Sequence, residues 1–345
     1  MTNFKFSVFT AVYNHAKLLP QAIDSILQQT RLPDEYVIVD DGSTDESWDV
    51  VSYFASKHSF IRGIRLKENQ GLMAALDIWF NSVTGDYCYA VAADDRLHSE
   101  MGRKSYEAAI RYPRAGIHFG SVWELPNDGV IQTANHQDFE PWTELTFLSP
   151  EQFMSDYLLK APIQYSPSAA TVYRMDALRE VGGFRPELGA WTDTFAIQAI
   201  GLKHGACFLP ETGSYFRMSP NGFSQTQLRN SRLFLNIVER AASLMRSPEF
   251  REVFPAEYVV RWEKLYRECV VAGILKHVSK RYNEAGREYC AAFPELPPQL
   301  ARLLMKFSGL FRQLQLYCLR QTLNAYRGDS PGDLPSNHKL NTPSS

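Results

Sequence analysis

The chain has 345 residues, a net charge of -2, 45% hydrophobic residues and 21% charged residues, the make-up of a globular protein able to bury a sizeable core. So balanced a charge argues against a nucleic-acid binder that works by phosphate neutralisation. Its five cysteines, Cys88, Cys207, Cys269, Cys290 and Cys318, are scattered, which excludes a zinc spacing or disulfide framework and suits a reducing compartment. Met1 to Phe9 lacks the apolar core and cleavage site of a secretory signal, and no window is apolar for long enough to span a bilayer. The expectation is a cytoplasmic protein, at most attached to the inner face of a membrane.

Phe6 to Val12 is a short apolar, β-branched run ended by Tyr13-Asn14-His15, which predicts a buried strand and a loop. Apolar residues at helical spacing predict a helix over 17–30, ended before Pro33. A second strand over 36–39 stops at Asp40-Asp-Gly-Ser-Thr44, a turn cluster expected to cap a helix running to Lys57. A third strand over 61–66, a helix over 71–83 and a fourth strand over 87–92 follow, the last ending in Asp94-Asp95. This alternation predicts a mainly parallel sheet flanked by helices, with ligands beyond the carboxyl ends of the strands. Tyr13-Asn14, Asp40-Asp41 and Asp94-Asp95 all stand at such ends.

Further on, a helix over 99–112, a strand over 115–123 and a polar excursion over 125–145 are expected. Ser149-Pro150 reads as a helix start, with the serine as cap and the proline in the first turn. A strand over 170–174, a helix over 175–181, a Gly182-Gly183 turn and a helix over 191–204 come next, then two short strands near Cys207 and Tyr215. From 226 onward long helical patterns dominate (226–247, 255–279, 297–327), and 328–345 has the composition of a disordered tail. The domain division expected is 1–225, 226–327 and 328–345.

Several of these pieces together resemble the family-2 inverting glycosyltransferases of GT-A fold. They are Ser7-Val-Phe-Thr-Ala-Val-Tyr-Asn14, Val39-Asp-Asp-Gly-Ser-Thr-Asp45, Asn69-Gln-Gly71, Ala92-Ala-Asp-Asp95, Val181-Gly-Gly-Phe184 and Trp191-Thr-Asp193. The resemblance covers about 5–225, and its strength lies in the order and spacing of the pieces. It implies a nucleotide-sugar donor held by Ala11, Tyr13, Asn14, Asp41 and Asp94. Tyr13 would flank the base, and Asp41 would accept a hydrogen bond from the ring imide of a uracil or thymine. It implies Mn2+ or Mg2+ on Asp95, with Asp94 at the ribose or sharing the ion. Asp193 would be the base that takes the acceptor hydroxyl's proton, although an aspartate opening a helix is also a favourable first-turn charge.

Arg217 is placed to counter phosphate charge, with Arg229 as the other choice, and Trp191 and Gln164 stand where an acceptor wall would lie; Trp191 also reads as a core residue. The chain departs from the family pattern at Ala92, Thr192 and Ser219, where relatives carry an acid, an acid and a histidine. The acceptor implied is a hydroxyl of a glycan or lipid-linked glycan, in lipopolysaccharide, capsule or other envelope polysaccharide synthesis. The apolar stripe and arginines of 297–327 fit peripheral membrane contact or pairing into a homo-oligomer. Two other readings stay open, a nucleotide-sugar or glycan binder without catalysis and a nucleotidyltransferase. The latter lacks its basic, Gly-rich loop here. No G-x-G-x-x-G follows the first strand and no P-loop motif occurs, which disfavours a dehydrogenase or a P-loop NTPase.

Overall fold

The computed structural model describes residues 4–125, 142–160, 166–217 and 230–269, with 222, 223, 226, 227 and 313. The expected alternation is present: β1 (Phe6–Val12), α1 (Leu19–Leu27), β2 (Glu35–Asp40), α2 (Ser47–Lys57), β3 (Ile61–Arg65), α3 (Leu72–Ser82) and β4 (Tyr87–Ala90). Strand β1 lies between β2 and β4 and is parallel to both, and β3 continues the sheet on β2, again parallel. Successive residues of a strand face opposite ways, so each strand feeds two cores. Phe6, Val8, Tyr36, Ile38, Tyr87 and Tyr89 share a core with Leu19, Ile23 and Ile26 of α1 and Val51 of α2. From β1, Phe9 instead stacks on Trp79 of α3 at 5.1 Å, and Trp79 stacks on Phe184 at 5.1 Å.

The second half keeps the layers but not the strand direction. After β5 (Arg96–Leu97) and α4 (Met101–Arg111) come β6 (Ile117–Glu124), β7 (Thr146–Leu148), β8 (Thr171–Arg174), α6 (Met175–Glu180), α7 (Thr192–His204) and β9 (Ala206–Phe216). The sheet order is β3-β2-β1-β4-β8-β6-β9-β5, with β7 also on β9. Strand β8 is antiparallel to both β4 and β6, and β9 is parallel to β6 but antiparallel to β5 and β7. The mainly parallel sheet expected therefore holds for β1 to β4, and the sheet as a whole is mixed.

Strands β5 and β7 were not foreseen, because two or three residues carry no periodicity and exist only by pairing with β9. The two strands expected near Cys207 and Tyr215 are one strand with an irregularity, since Phe119 pairs Phe208 but Ser121 pairs Gly213. Gly120 allows this close passage, as a Cβ there would lie 2.3 Å from the Thr212 carbonyl.

Ser149 does cap α5 (Pro150–Gln152), in a reciprocal capping box with Gln152. The chain then widens into a π-helical turn over Phe153–Leu158. The Thr44 region does not cap α2. The N-cap is Glu46, which makes no side-chain cap hydrogen bond, and Asp45 just ahead of it accepts the N–H of Ser47 at 3.0 Å and that of Ala16 at 3.1 Å.

The first compact unit extends to Val260, so the boundary expected at 225/226 falls inside it. Helix α8 (Ser231–Met245) buries Ile237, Val238, Ala241 and Ala242 in this unit, and Phe250 and Phe254 pack on Phe195 of α7. The second unit, Arg261–Ser345, is described over 261–269, a helical stretch with Trp262 on Tyr266 at 4.5 Å. The helices expected beyond, the stripe of 297–327 and the tail of 328–345 lie outside the described residues, apart from residue 313. Among the described residues no helix is long and apolar enough to cross a membrane.

Candidate active site

Parallel strands bring their carboxyl ends to one edge of the sheet, and the loops after β1, β2 and β4 meet there. The first two are laced together. Asn14, at φ 55, accepts the Thr44 N–H on Oδ1 at 2.8 Å, while its own N–H goes to Ser43 Oγ at 3.0 Å and that of His15 to Ser47 Oγ at 2.9 Å. The left-handed conformation is one that asparagine tolerates better than most residues. It leaves the Tyr13 side chain 41% exposed at the rim, an aromatic face open to a planar ligand. Ala11, half-buried within β1, stands beneath that loop.

The two carboxylates after β2 do different work. Asp40 is fully buried; it accepts the Ser43 N–H at 3.0 Å and faces Arg65 Nε at 3.4 Å. Asp41 accepts the backbone N–H groups of Gln70 and Gly71 at 2.7 and 2.8 Å, one on each oxygen. Each oxygen keeps a second lone pair for a ligand donor. Gly42, at φ 66, makes this possible, because a Cβ there would stand 2.4 Å from the Glu68 carbonyl carbon. Arg65 and the serines Ser43 and Ser47 were missed from sequence, which has no signal for an arginine on the neighbouring strand β3 reaching a buried acid.

After β4, Asp95 turns inward and is 3% exposed, while Asp94 is half-buried. Asp95 Oδ1 accepts the backbone N–H of Arg217 at 2.8 Å, and Arg217 Nε donates to the Asp94 carbonyl at 3.2 Å. Burial, then the neighbouring Asp94 charge, push the Asp95 carboxyl up to about 8, against the pull of Arg217. A cation beside the pair would offset both the burial and the repulsion. Among the described residues no group of three or more His, Cys, Asp or Glu could hold a metal ion by itself. The two hard carboxylates still suit Mg2+ or Mn2+, ions that take one or two protein carboxylates and complete their shell with phosphate oxygens and water.

Asp193 opens α7, whose N-terminus points to the same edge because the helix leads back into β9, parallel to β6. Its carboxyl is raised by burial, against hydrogen bonds from the Thr194 N–H and from the hydroxyls of Ser168 and Thr194. Ser168 belongs to the 168–170 turn, and the next residue but one upstream of β8, Ala169, accepts the Tyr89 hydroxyl. Tyr89 in turn lies near enough to Asp95 to feel its charge. One turn thus links the Asp95 and Asp193 sides, and its antiparallel strand is what brings it there. Trp191 is 6% exposed and tilted on Phe195, a core position. Gln164, Tyr165, Ser219 and Arg229 lie outside the described residues, whereas Ser166 accepts the Thr194 hydroxyl at 2.9 Å.

The family model described as Glycosyl transferase family 2 matches residues 7–182, just over half of the chain. Glycosyltransferase GlyA of Streptococcus pneumoniae is 34% identical over 35% of this chain and 17% of its own length. An uncharacterized glycosyltransferase of Nostoc is 40% identical over 62% of this chain and 65% of its own. The chain thus spans less than two thirds of either relative. Among solved structures, residues 1–349 of S. aureus TarS in complex with UDP superpose with a TM-score of 0.55 at 18% identity, covering 95% of this chain and 93% of that one. A mannosyltransferase of Pyrobaculum calidifontis in complex with GDP-Man and Mn2+ gives 0.55 at 17% identity, covering 94% and 85%. These two likenesses establish the fold.

Proposed function

Since the chain belongs to glycosyl transferase family 2, we propose that it transfers a sugar, with inversion, from a UDP- or dTDP-sugar to a hydroxyl of a glycan or lipid-linked glycan. The setting is envelope polysaccharide or lipopolysaccharide synthesis at the cytoplasmic face of a membrane. The observation that carries the reading is the gathering of Tyr13, Asp41, Asp94-Asp95 and Asp193 at one sheet edge. Tyr13 covers the base, and the free lone pairs of Asp41 accept the ring imide N–H. The UDP and GDP-Man complexes of the two structural neighbours support a nucleoside-diphosphate donor.

Asp94 and Asp95 would hold Mg2+ or Mn2+, which when bound neutralises charge developing on the leaving diphosphate. Arg217 adds a guanidinium beside that charge. Asp193 takes the proton from the attacking hydroxyl. Its raised pKa makes it a stronger base than a surface carboxylate, and the Thr194 and Ser168 hydrogen bonds hold it in one orientation.

A transfer assay over a panel of nucleotide sugars with Mn2+ tests the reading. Asp193→Asn is expected to lower turnover by about a hundred- to ten-thousand-fold while UDP affinity stays as in the wild type. Wild type and variant equally inert with every donor, yet still binding nucleotide, would leave a binding protein instead.

A further inference from the structure

A second cavity, of about 860 Å3, opens at the edge of the sheet where β4 begins. Its wall includes Val83 to Tyr87, leading into β4, and Arg114, ahead of β6. The cleft of Asp41 and Asp95 lies where the parallel strands end, so cavity and cleft occupy opposite edges. The volume is that of a small-molecule site.

Most of the charge lining the cavity is already matched. Arg174 pairs with Asp176 at 2.5 Å and donates to the carbonyls of Pro113, Arg114 and Ala115. Lys203 and His204 share Glu180, at 2.7 and 2.6 Å, whereas Asp86, whose carboxylate accepts the backbone N–H of Lys5 at 2.9 Å, keeps its negative charge, with no cation paired to it among the described residues. Two arginines remain. Among the described residues no carboxylate pairs with Arg114 or with Arg179, whose guanidinium lies 6.0 Å from the Phe80 ring centre.

Tyr87 supplies an independent observation. It lines the cavity and is 1% exposed, yet its hydroxyl has no hydrogen-bond partner. A buried hydroxyl left unpaired is costly, and a ligand hydroxyl or oxyanion would satisfy it. Phe4 and Phe147, both half-buried, add aromatic surface to the same wall. Ring faces of this kind pack against the C–H face of a sugar.

We infer that this cavity is a second, non-catalytic saccharide site that takes a sugar bearing a phosphate or a carboxylate. Arg114 and Arg179 receive the anion, and the aromatic wall and the Tyr87 hydroxyl receive the ring. The need for an anion follows from the lining alone; the choice of a saccharide rests on the transferase reading. Such a site lets the protein hold one part of an anionic glycan away from the reacting end.

Calorimetry on the full chain, without nucleotide or divalent cation, compares glucose 6-phosphate and glucuronate with glucose and inorganic phosphate. The anionic sugars are expected to bind more tightly than either control. Arg114→Ala and Arg179→Ala are each expected to weaken them about tenfold, with UDP affinity in the cleft unchanged. Tyr87→Phe should weaken them too, without lowering the melting temperature of the free protein, since it removes an unpaired group. Failure of both anionic sugars to bind at millimolar concentration, or binding that ignores both arginine variants, overturns the site. Equal binding of glucose removes the anion requirement, and equal binding of inorganic phosphate removes the saccharide. None of these readings depends on sugar transfer, so a failed transferase assay and a failed cavity are told apart.

Discussion

Arg217 is tied to Asp95 by its backbone and to Asp94 by its side chain: its N–H meets Asp95 Oδ1 at 2.8 Å and its Nε meets the Asp94 carbonyl at 3.2 Å. The residue after β9 is thereby clamped to the loop after β4, although 122 positions separate Asp95 from Arg217. The backbone bond survives substitution of the side chain, and the charge does not.

Arg217→Ala should therefore leave the fold intact and remove a cation from the diphosphate. UDP affinity is expected to fall about tenfold, the worth of one charge-assisted contact, while uridine affinity stays unchanged. Calorimetry with the two ligands checks this. An equal loss for both would mean that Arg217 shapes the pocket and does not meet phosphate.

Asp95→Ala removes the buried carboxylate that a cation would neutralise. Donor binding should lose its dependence on Mn2+, and titration of UDP with and without the ion reads it directly. Unchanged stimulation by Mn2+ in the variant would take the cation role away from Asp95.

Gly42→Ala brings a Cβ to 2.4 Å from the Glu68 backbone at φ 66. The left-handed conformation alone costs about 1–2 kcal/mol for an alanine, and the clash pushes away the 68–71 segment that Asp41 grips. A loss of about 2–3 kcal/mol in urea unfolding is expected, together with weaker UDP binding. Stability equal to wild type would show that the segment moves freely.

His118 is fully buried with neither ring nitrogen hydrogen-bonded, its ring stacked on Tyr87 at 5.1 Å. Burial first, and the Arg174 charge second, lower its pKa to about 3. The unfolded chain takes up a proton near pH ~6.5, so the unfolded state binds more protons between these two values. Stability is thus full above the unfolded pKa and falls as the pH drops toward 3. His118→Phe keeps a stacked ring and removes the titration. Urea unfolding at pH 7 and pH 5 should show a smaller difference for the variant than for the wild type, and an identical difference would assign the acid sensitivity elsewhere.

Much of the N-terminal half was legible in the chain itself. Phe6–Val12, Glu35–Asp40 and Tyr87–Ala90 are strands because apolar runs bounded by turn residues have few other ways to bury themselves. Tyr13, Asp41 and Asp95 could be placed at their ends because parallel connectivity leaves one edge for all three. The capping box at Ser149 was equally local, needing only the spacing of Ser149, Pro150 and Gln152.

What the sequence alone determined, then, was the set of groups whose causes lie within a dozen or so residues: strand, helix, cap and the acidic strand ends. The tertiary structure decided which partners those groups meet. Only pairing with β9 makes strands of Arg96–Leu97 and Thr146–Leu148, only the antiparallel insertion of β8 sets Ala169 against Tyr89 and Ser168 against Asp193, and only chain closure puts Arg217 on Asp95. Such contacts join segments far apart along the chain, and their strength comes from burial and geometry that no local pattern encodes. For the same reason a buried aspartate and an unpaired Tyr87 hydroxyl became visible only once the sheet had closed around them.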